Sequence, residues 1–193
     1  LLIFIHGGGW RSGKKEDYRV YNLDFAERGY ITASISYRLS KTAKYPAAVQ
    51  DVFCAVSWLR AHAQDYFINP DKIAVIGGSA GGHLSLLVGF APDSVFAAPC
   101  AAQTGNRVQA VIDLYGPVDL TTEYGRTHDL TTSFFGASYE DAPQRYREAS
   151  PLTWLSPDDP PTLIFHGTID DLVPASQSDT LAAALDGIGI QHE

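Results

Sequence analysis

The chain has 193 residues, 45% of them hydrophobic, and its 22 acidic residues exceed its 14 Lys and Arg residues for a formal net charge of −8. This length supports one sizeable core, so we expect a single domain over residues 1–193. The acidic balance argues against a nucleic-acid or anionic-membrane partner, and no apolar run is long enough to span a membrane. We therefore expect a soluble protein, cytoplasmic or secreted, that acts on a small molecule.

Short apolar runs alternate with longer amphipathic segments along the chain, which is typical of an α/β domain with a mostly parallel sheet. The short runs are almost continuously apolar, as expected for strands that are covered by helices on both faces. Five strands are predicted, at residues 1–5, 30–36, 73–76, 110–114 and 162–165, and a sixth is expected to begin near Ile190.

Helices are predicted between these strands, over about 17–28, 79–87 and 176–185, and one begins at Pro46 and ends before Asn69. Cys54 lies in the Pro46 helix and is expected to be a small buried residue, whereas Cys100 lies in a loop and could be free or paired. Residues 116–161 have a looser pattern with short helical pieces, and a segment of that length is expected to be an excursion that faces substrate.

A nucleophile motif follows the third predicted strand. Residues 77–81 read GGSAG, a G-x-S-x-G pattern between the strand IAVI and the helix-prone run HLSLLVGF. A strand, a sharp turn and a helix in this order raise a serine to the edge of a sheet, and small neighbours let the turn form. Ser79 is therefore the candidate nucleophile. The alternative is a glycine-rich turn with an incidental serine.

A glycine loop, HGGGW at residues 6–10, follows the first predicted strand. Attack on an ester carbonyl places negative charge on its oxygen, and backbone amides without nearby side chains can stabilise that charge. The three glycines offer such amides, and the amide of Ala80, directly after the serine, offers another. A phosphate-binding glycine turn is the alternative, but the following residues WRSGKKEDY fit it poorly.

An acidic loop, FHGTIDDLVP at residues 165–174, follows the last complete predicted strand. A serine nucleophile needs a histidine base, and a carboxylate that holds this base in the right tautomer. Asp170 and Asp171 both qualify, and we favour Asp170, with Asp171 as a solvated neighbour or a charge at a helix start. Since the serine comes first and the acid second, the base is expected later in the chain.

Together, HGGGW, GGSAGG and HGTIDDLVP resemble the α/β-hydrolase superfamily, and more narrowly the esterases and lipases of the hormone-sensitive-lipase and feruloyl-esterase-like (BD-FAE-like) type. The stretches ISYRLS and YPAAVQDV add to this resemblance, which covers nearly the whole chain. It implies that Ser79 is the nucleophile and Asp170 the acid. It also implies that Gly8, Gly9 and Ala80 are the oxyanion-hole donors, with Gly7 shaping the loop.

The resemblance further implies that two early strands precede Leu1 and that the catalytic histidine lies in a turn beyond Glu193, so that the chain is a fragment. The absence of methionine and the strand-like first residues agree with this expectation. His192 alone has the right chain order, but it lies inside the expected sixth strand instead of a loop after it. A fragment without the base is expected to be inactive.

The other histidines are expected to have other roles. His6 and His166 are expected to have structural roles, and His83 to pack against its neighbours or to cap a helix. His62 is expected to interact favourably with the dipole at the end of a helix. His128 could touch substrate. Aromatic side chains near strand ends could line a pocket, but such residues usually belong to the core: Trp10, Tyr37 and Tyr115. Five more lie in the excursion and are candidates for a lid or acceptor pocket: Phe134, Phe135, Tyr139, Tyr146 and Trp154.

The leading interpretation is a serine carboxylester hydrolase that forms an acyl-enzyme on short-chain, carbohydrate or aryl esters, and needs no metal or organic cofactor. An aryl-formamidase or peptidase of the same fold is one alternative, because a fold does not determine the substrate. A hydrolase-like module that binds a ligand without catalysis is another. The sequence does not indicate the oligomeric state.

Overall fold

Five parallel strands form one sheet: β1 (Leu2–Ile5), β2 (Thr32–Ile35), β3 (Ala74–Gly78), β4 (Ala110–Leu114) and β5 (Thr162–Phe165). Their order across the sheet is β2-β1-β3-β4-β5. The computed structural model describes residues 1–96 and 105–193, so Cys100 and its pairing lie outside the described residues. The five predicted strands are confirmed, although β2 is shorter than expected.

Four longer helices accompany the strands: α1 (Arg19–Glu27), α2 (Ala47–Ala61), α3 (Ala80–Phe90) and α7 (Ser176–Ile188). Each overlaps a segment predicted to be helical, and α3 and α7 extend three residues beyond the predicted ends. A 3₁₀ turn over Lys15–Tyr18 directly precedes α1, and α2 ends at Ala61, earlier than the predicted end before Asn69. No described helix is long and apolar enough to cross a membrane.

Helices lie against both faces of the sheet, and successive side chains of each strand point to opposite faces. Ile3 and Ile5 of β1 belong to the main buried cluster, to which α2, α3 and α7 contribute. Phe4, between them in sequence, contacts the rings of Tyr18 and Phe25 at the start and end of α1. The face that carries Ile3 and Ile5 is the more closely covered one, since Ile76 and Ile112, which are in register with Phe4 on the other face, are only partly buried.

The expected sixth strand is represented by a single parallel bridge between His192 and Thr162, at the start of β5. The amide of Ile164 also donates to the carbonyl oxygen of Glu193 at 2.7 Å. Residues 191–193 thus lie alongside β5 in the direction expected of a further parallel strand.

The segment over 116–161 folds into short helices: α4 (Glu123–Thr127), α5 (Asp129–Phe135), α6 (Pro143–Glu148) and a 3₁₀ turn over Pro151–Trp154. Three of its five aromatic candidates for a lid or acceptor pocket are buried core residues instead. Phe134, Phe135 and Tyr146 are at most 1% exposed. This part of the prediction is wrong because these rings pack on each other and on the core, which leaves them no face for a substrate.

The segment over residues 77–81 passes so close to β1 that two of its positions accept only glycine. A Cβ atom on Gly81 would overlap the carbonyl oxygen of Ile5, and one on Gly77 would overlap the backbone of Gly81. The first and last glycines of G-x-S-x-G therefore let α3 rest directly on the backbone of β1. This contact sets the height of Ser79 above the sheet edge.

Gly81→Ala is expected to lower the free energy of unfolding by about 3 kcal/mol, because the added methyl group forces backbone apart in a packed region. Gly187→Ala is the matched control, since Gly187 also lies in a helix but has nothing within 4 Å of an added Cβ. That control is expected to stabilise the protein by about 0.5 kcal/mol through helix propensity. Urea unfolding followed by circular dichroism measures both, and equal effects would contradict the close contact.

Candidate active site

Ser79 lies in a strained turn between β3 and α3. Its backbone angles are φ 53° and ψ −120°, a combination that residues with a side chain rarely adopt. The turn is held on both sides, because the Ser79 amide donates to the carbonyl oxygen of Leu114 at 2.8 Å and the Ser79 carbonyl accepts from the His83 amide at 3.0 Å. Ser79 is partly exposed, and its hydroxyl makes no hydrogen bond with any residue that the structure describes. The hydroxyl is therefore available to a histidine base and to a substrate.

The glycine loop runs beside this turn. A Cβ atom on Gly7 would lie 2.7 Å from the carbonyl oxygen of Gly78 and 3.5 Å from Cβ of Ser79, so only glycine permits the approach. Gly8 and Gly9 have φ values of 101° and 57°. The carbonyl oxygen of Gly8 accepts from the amides of Arg11 and Ser12, both at 3.0 Å, which fixes the curvature of the loop.

Three backbone amides near Ser79 are without a protein acceptor. Within residues 1–96 and 105–193, the N–H groups of Gly8, Gly9 and Ala80 donate to no other group of the chain. Ala80 is the first residue of α3, where the amide has no intrahelical partner and the helix dipole favours negative charge. Amides of this kind can stabilise an oxyanion.

Asp170 lies in the loop after β5, at the same edge of the sheet as Ser79. Its Oδ1 atom accepts hydrogen bonds from the amides of Leu172 at 2.8 Å and Val173 at 2.9 Å. These bonds, the Val173 bond first, lower the pKa of the Asp170 carboxyl group and keep it ionised. Asp171 is exposed. Asp170, which we favour as the acid from the sequence, thus has a carboxylate that the loop holds in place.

His166 lies close to Asp170 but is held by other groups. Its Nε2 atom is 3.6 Å from Oδ2 of Asp170 and donates to the carbonyl oxygen of Val173 at 2.9 Å. Its Nδ1 atom is 2.6 Å from the hydroxyl oxygen of Ser178. Both ring nitrogens are therefore engaged within the acid loop and α7, as expected for a structural residue.

His192 lies at the wrong edge of the sheet. It pairs with Thr162 at the start of β5, whereas Asp170 follows the end of that strand and Ser79 the end of β3. Its Nδ1 atom is 3.1 Å from the carbonyl oxygen of Ile190. His192 therefore does not supply the base, despite its position in chain order.

Three further histidines bond locally. His6 Nδ1 is 2.8 Å from the carbonyl oxygen of Gly7, and its ring stacks on Tyr37 with 4.2 Å between ring centroids. His62 Nδ1 is 2.8 Å from the carbonyl oxygen of Trp58 at the end of α2. His128 Nδ1 accepts from the amide of Leu130 and caps α5. These contacts give His6 and His62 structural roles and make His128 a helix cap, while the expectation that His128 could touch substrate stays a prediction.

The aromatic pocket candidates near strand ends divide into two groups. Trp10 and Tyr37 are 2% and 6% exposed and belong to the core, whereas Tyr115 is 40% exposed. Tyr115 and Tyr18 bring their hydroxyl oxygens to 2.9 and 3.1 Å from a Cβ atom built on Gly78. Both tyrosines line a cavity of about 570 Å³ that extends from the glycine loop along the α1 face of the sheet.

Asp113 is a buried acid that the sequence analysis did not single out. It is 0% exposed on β4, where its Oδ1 accepts from the amide of Gly116 at 2.9 Å and its Oδ2 has no partner among the described residues. Burial raises the pKa of Asp113 to about 8. The available signal was an acidic residue at an otherwise apolar strand position, in AVIDL.

Asp113 is expected to make stability fall as the pH rises. The pKa of Asp113 in the folded protein is above the ordinary value, so the contribution of this carboxyl group to the free energy of unfolding is fully present below about pH 4. It is lost as the pH rises towards about 8, at up to about 1.4 kcal/mol per pH unit, because the unfolded chain ionises over this range while the folded carboxyl group keeps its proton. Asp113→Asn removes this titration. Urea unfolding at about pH 5 and 8 is expected to favour the variant increasingly over the wild type, and a constant difference would contradict the raised pKa.

Comparison with protein families and solved structures finds esterases similar to this chain. The BD-FAE family model matches residues 1–185. A probable carboxylic ester hydrolase, LipM of Mycobacterium tuberculosis, is 36% identical over 92% of this chain and 43% of its own. Esterase LipQ of the same organism is 33% identical over 98% of this chain and 46% of its own. The chain thus spans less than half the length of these two relatives.

A solved esterase has the same fold. The thermophilic esterase Est2 of Thermogutta terrifontis, solved with propionate bound, superimposes with a TM-score of 0.84 at 30% sequence identity. The superposition covers 100% of this chain and 69% of that structure.

Proposed function

The chain belongs to the BD-FAE family and has the α/β-hydrolase fold, and on this basis we propose that the whole protein is a carboxylic ester hydrolase with Ser79 as its nucleophile. The observation that carries this proposal is the strained Ser79 turn, in which an unbonded hydroxyl lies beside amides that have no protein acceptor. An incidental serine in a glycine turn would not need the backbone strain or the close passage of Gly7.

In the proposed reaction, Ser79 Oγ attacks the ester carbonyl carbon and passes its proton to a histidine base. The amides of Gly8, Gly9 and Ala80 bind the resulting oxyanion. The intermediate collapses to an acyl-serine, and the leaving alcohol takes the proton from the histidine. Water then attacks the acyl-serine with the same base, which releases the carboxylic acid and restores the Ser79 hydroxyl.

Asp170 is the proposed partner of this histidine, because its ionised carboxylate is fixed by two loop amides through Oδ1. Its Oδ2 atom makes only the 3.6 Å contact with His166 and can accept a hydrogen bond from an incoming imidazole. We propose that this imidazole comes from a histidine outside residues 1–193. The local hydrogen bonds of all six histidines of the chain support this proposal.

Short acyl esters are the proposed substrates, together with acetylated or aryl-acylated carbohydrates. The propionate found in the Thermogutta esterase supports a short acyl group. A matched panel tests this: aryl acetate, butyrate and octanoate, an acetylated and a feruloylated sugar, and an aryl formamide. We expect kcat/KM of the whole protein to be highest for a short ester and residues 1–193 alone to be inactive. Preference for the formamide, or no turnover of any ester by the whole protein, would contradict the proposal.

A further inference from the structure

The proposed oxyanion hole is assembled from two separate segments. Gly8 and Gly9 follow β1, whereas Ala80 opens α3. Amides that stabilise one developing charge must converge on a single oxygen atom, so the relative position of the two segments matters to a fraction of an ångström. A contact that joins the segments directly would therefore control transition-state binding.

His83 on α3 makes such a contact with the loop residue that follows Gly9. The indole Nε1 of Trp10 donates to Nδ1 of His83 at 3.2 Å, and the two rings meet edge-on with centroids 5.1 Å apart. The backbone of His83 also donates to the carbonyl oxygen of Ser79 at 3.0 Å. One residue thus touches both the nucleophile turn and the end of the glycine loop.

The tautomer of His83 is fixed by its second partner. Nε2 of His83 lies 2.7 Å from the carbonyl oxygen of Ala149, which can only accept, so Nε2 carries the hydrogen and Nδ1 is free to accept from Trp10. His83 is 0% exposed, and this burial lowers its pKa to about 4. The imidazole is therefore neutral near neutral pH, which the Trp10 bond requires.

Trp10 is held as firmly as His83. Its ring stacks on Phe134 of α5 with centroids 4.7 Å apart, and it is 2% exposed. Its backbone lies in the left-handed region at φ 55°, and its carbonyl oxygen accepts from the amide of Ser40 at 2.7 Å. Because Trp10 directly follows Gly9 and is held in this conformation, its position determines where the amides of Gly8 and Gly9 lie.

We propose that Trp10 and His83 are a positioning pair that sets the distance between the two segments of the oxyanion hole. The inference rests on the proposed function, because it assumes that Ser79 reacts beside the amides of Gly8, Gly9 and Ala80. Beyond that function, the buried imidazole of His83 next to the nucleophile contributes to transition-state binding rather than to proton transfer.

The test uses Trp10→Phe, which keeps an aromatic ring against Phe134 but removes the indole donor. In the whole protein we expect kcat for a short ester to fall about 10-fold to 100-fold with KM changed by less than about 3-fold. Affinity for a trifluoromethyl ketone, whose hemiketal oxygen mimics the oxyanion, is expected to fall by the same factor as kcat/KM.

Two variants of His83 test whether the loss of kcat follows the hydrogen bond from Trp10 and is restored with it. His83→Leu removes the acceptor and is expected to match Trp10→Phe, and the double variant is expected to lose no more than either single one. His83→Asn offers an amide oxygen near the place of Nδ1 and is expected to recover most of kcat. Ser85→Ala is the matched control, since it deletes one buried hydrogen bond on the same helix, from Ser85 Oγ to the Gly81 carbonyl oxygen at 2.8 Å.

The outcomes separate the positioning pair from the proposed function. Unchanged kcat and ketone affinity in a folded Trp10→Phe variant would overturn the pair, as would a loss of kcat in Ser85→Ala equal to that in Trp10→Phe. Either result leaves the proposed function standing, provided that turnover still requires Ser79. Turnover that survives the loss of the Ser79 hydroxyl would instead overturn the proposed function.

Discussion

Replacing Ser79 with alanine in the whole protein is expected to lower kcat for a short acyl ester by roughly 10⁴-fold to 10⁶-fold. The variant lacks the oxygen atom that attacks the ester carbonyl in the first step, so no acyl-enzyme can form. The fold is expected to persist, because the Ser79 hydroxyl makes no hydrogen bond with the described residues and its removal leaves no buried group without a partner. Steady-state hydrolysis of an aryl acetate, with circular dichroism of the purified variant, measures the effect.

Ser85→Ala controls for the loss of a serine hydroxyl elsewhere in the same region, since Ser85 lies on α3 and is fully buried. It is expected to reduce stability by about 1 kcal/mol and to leave kcat within about 3-fold of the wild type. Retention of wild-type turnover by Ser79→Ala would mean that another group attacks the ester.

Asp170→Asn is expected to lower kcat by about 10⁴-fold, the second-largest effect. The substitution preserves the shape of the side chain but removes the negative charge that orients and stabilises the protonated histidine. The effect on KM is expected to be small, because Asp170 lies behind the proposed base and does not touch the substrate. The measurement is kcat and KM for the same aryl acetate.

The neighbouring residue provides a close control. Asp171→Asn removes the same charge one position further along an exposed part of the loop and is expected to change kcat by less than about 3-fold. If Asp171→Asn caused the large loss and Asp170→Asn did not, the acid would be Asp171, and the two amide bonds to Asp170 Oδ1 would have only a structural role.

Much of this architecture could be predicted from local sequence patterns. The five strands could be predicted because most of their side chains are at least partly buried on both faces of the sheet, which leaves short apolar runs in the sequence. The GGSAG turn was equally visible, since Gly77 and Gly81 are positions where any side chain would overlap backbone. The loop that carries Asp170 and Asp171 could be selected because it follows a strand at the same sheet edge as Ser79, and the assignment of the acid to Asp170 stays a prediction.

Other features depend on contacts between residues far apart in the chain, which a local pattern does not contain. The Trp10, His83 and Ala149 contacts join three segments, so the specific bonds of His83 could not be derived from the run GGHL. The aromatic residues of 116–161 resembled a substrate-facing surface, whereas Phe134, Phe135 and Tyr146 are buried. Composition alone does not distinguish an aromatic lid from an aromatic core.

Covalent labelling shows whether Ser79 is the group that attacks an ester carbonyl. The whole protein is incubated with an organophosphate ester that traps activated serines, digested, and examined by mass spectrometry for the modified peptide. We expect one phosphoryl group per chain, on Ser79, in proportion to the loss of esterase activity, and none in the Ser79→Ala variant. Loss of activity with the phosphoryl group on a different residue, or continued hydrolysis by protein fully labelled at Ser79, would contradict it.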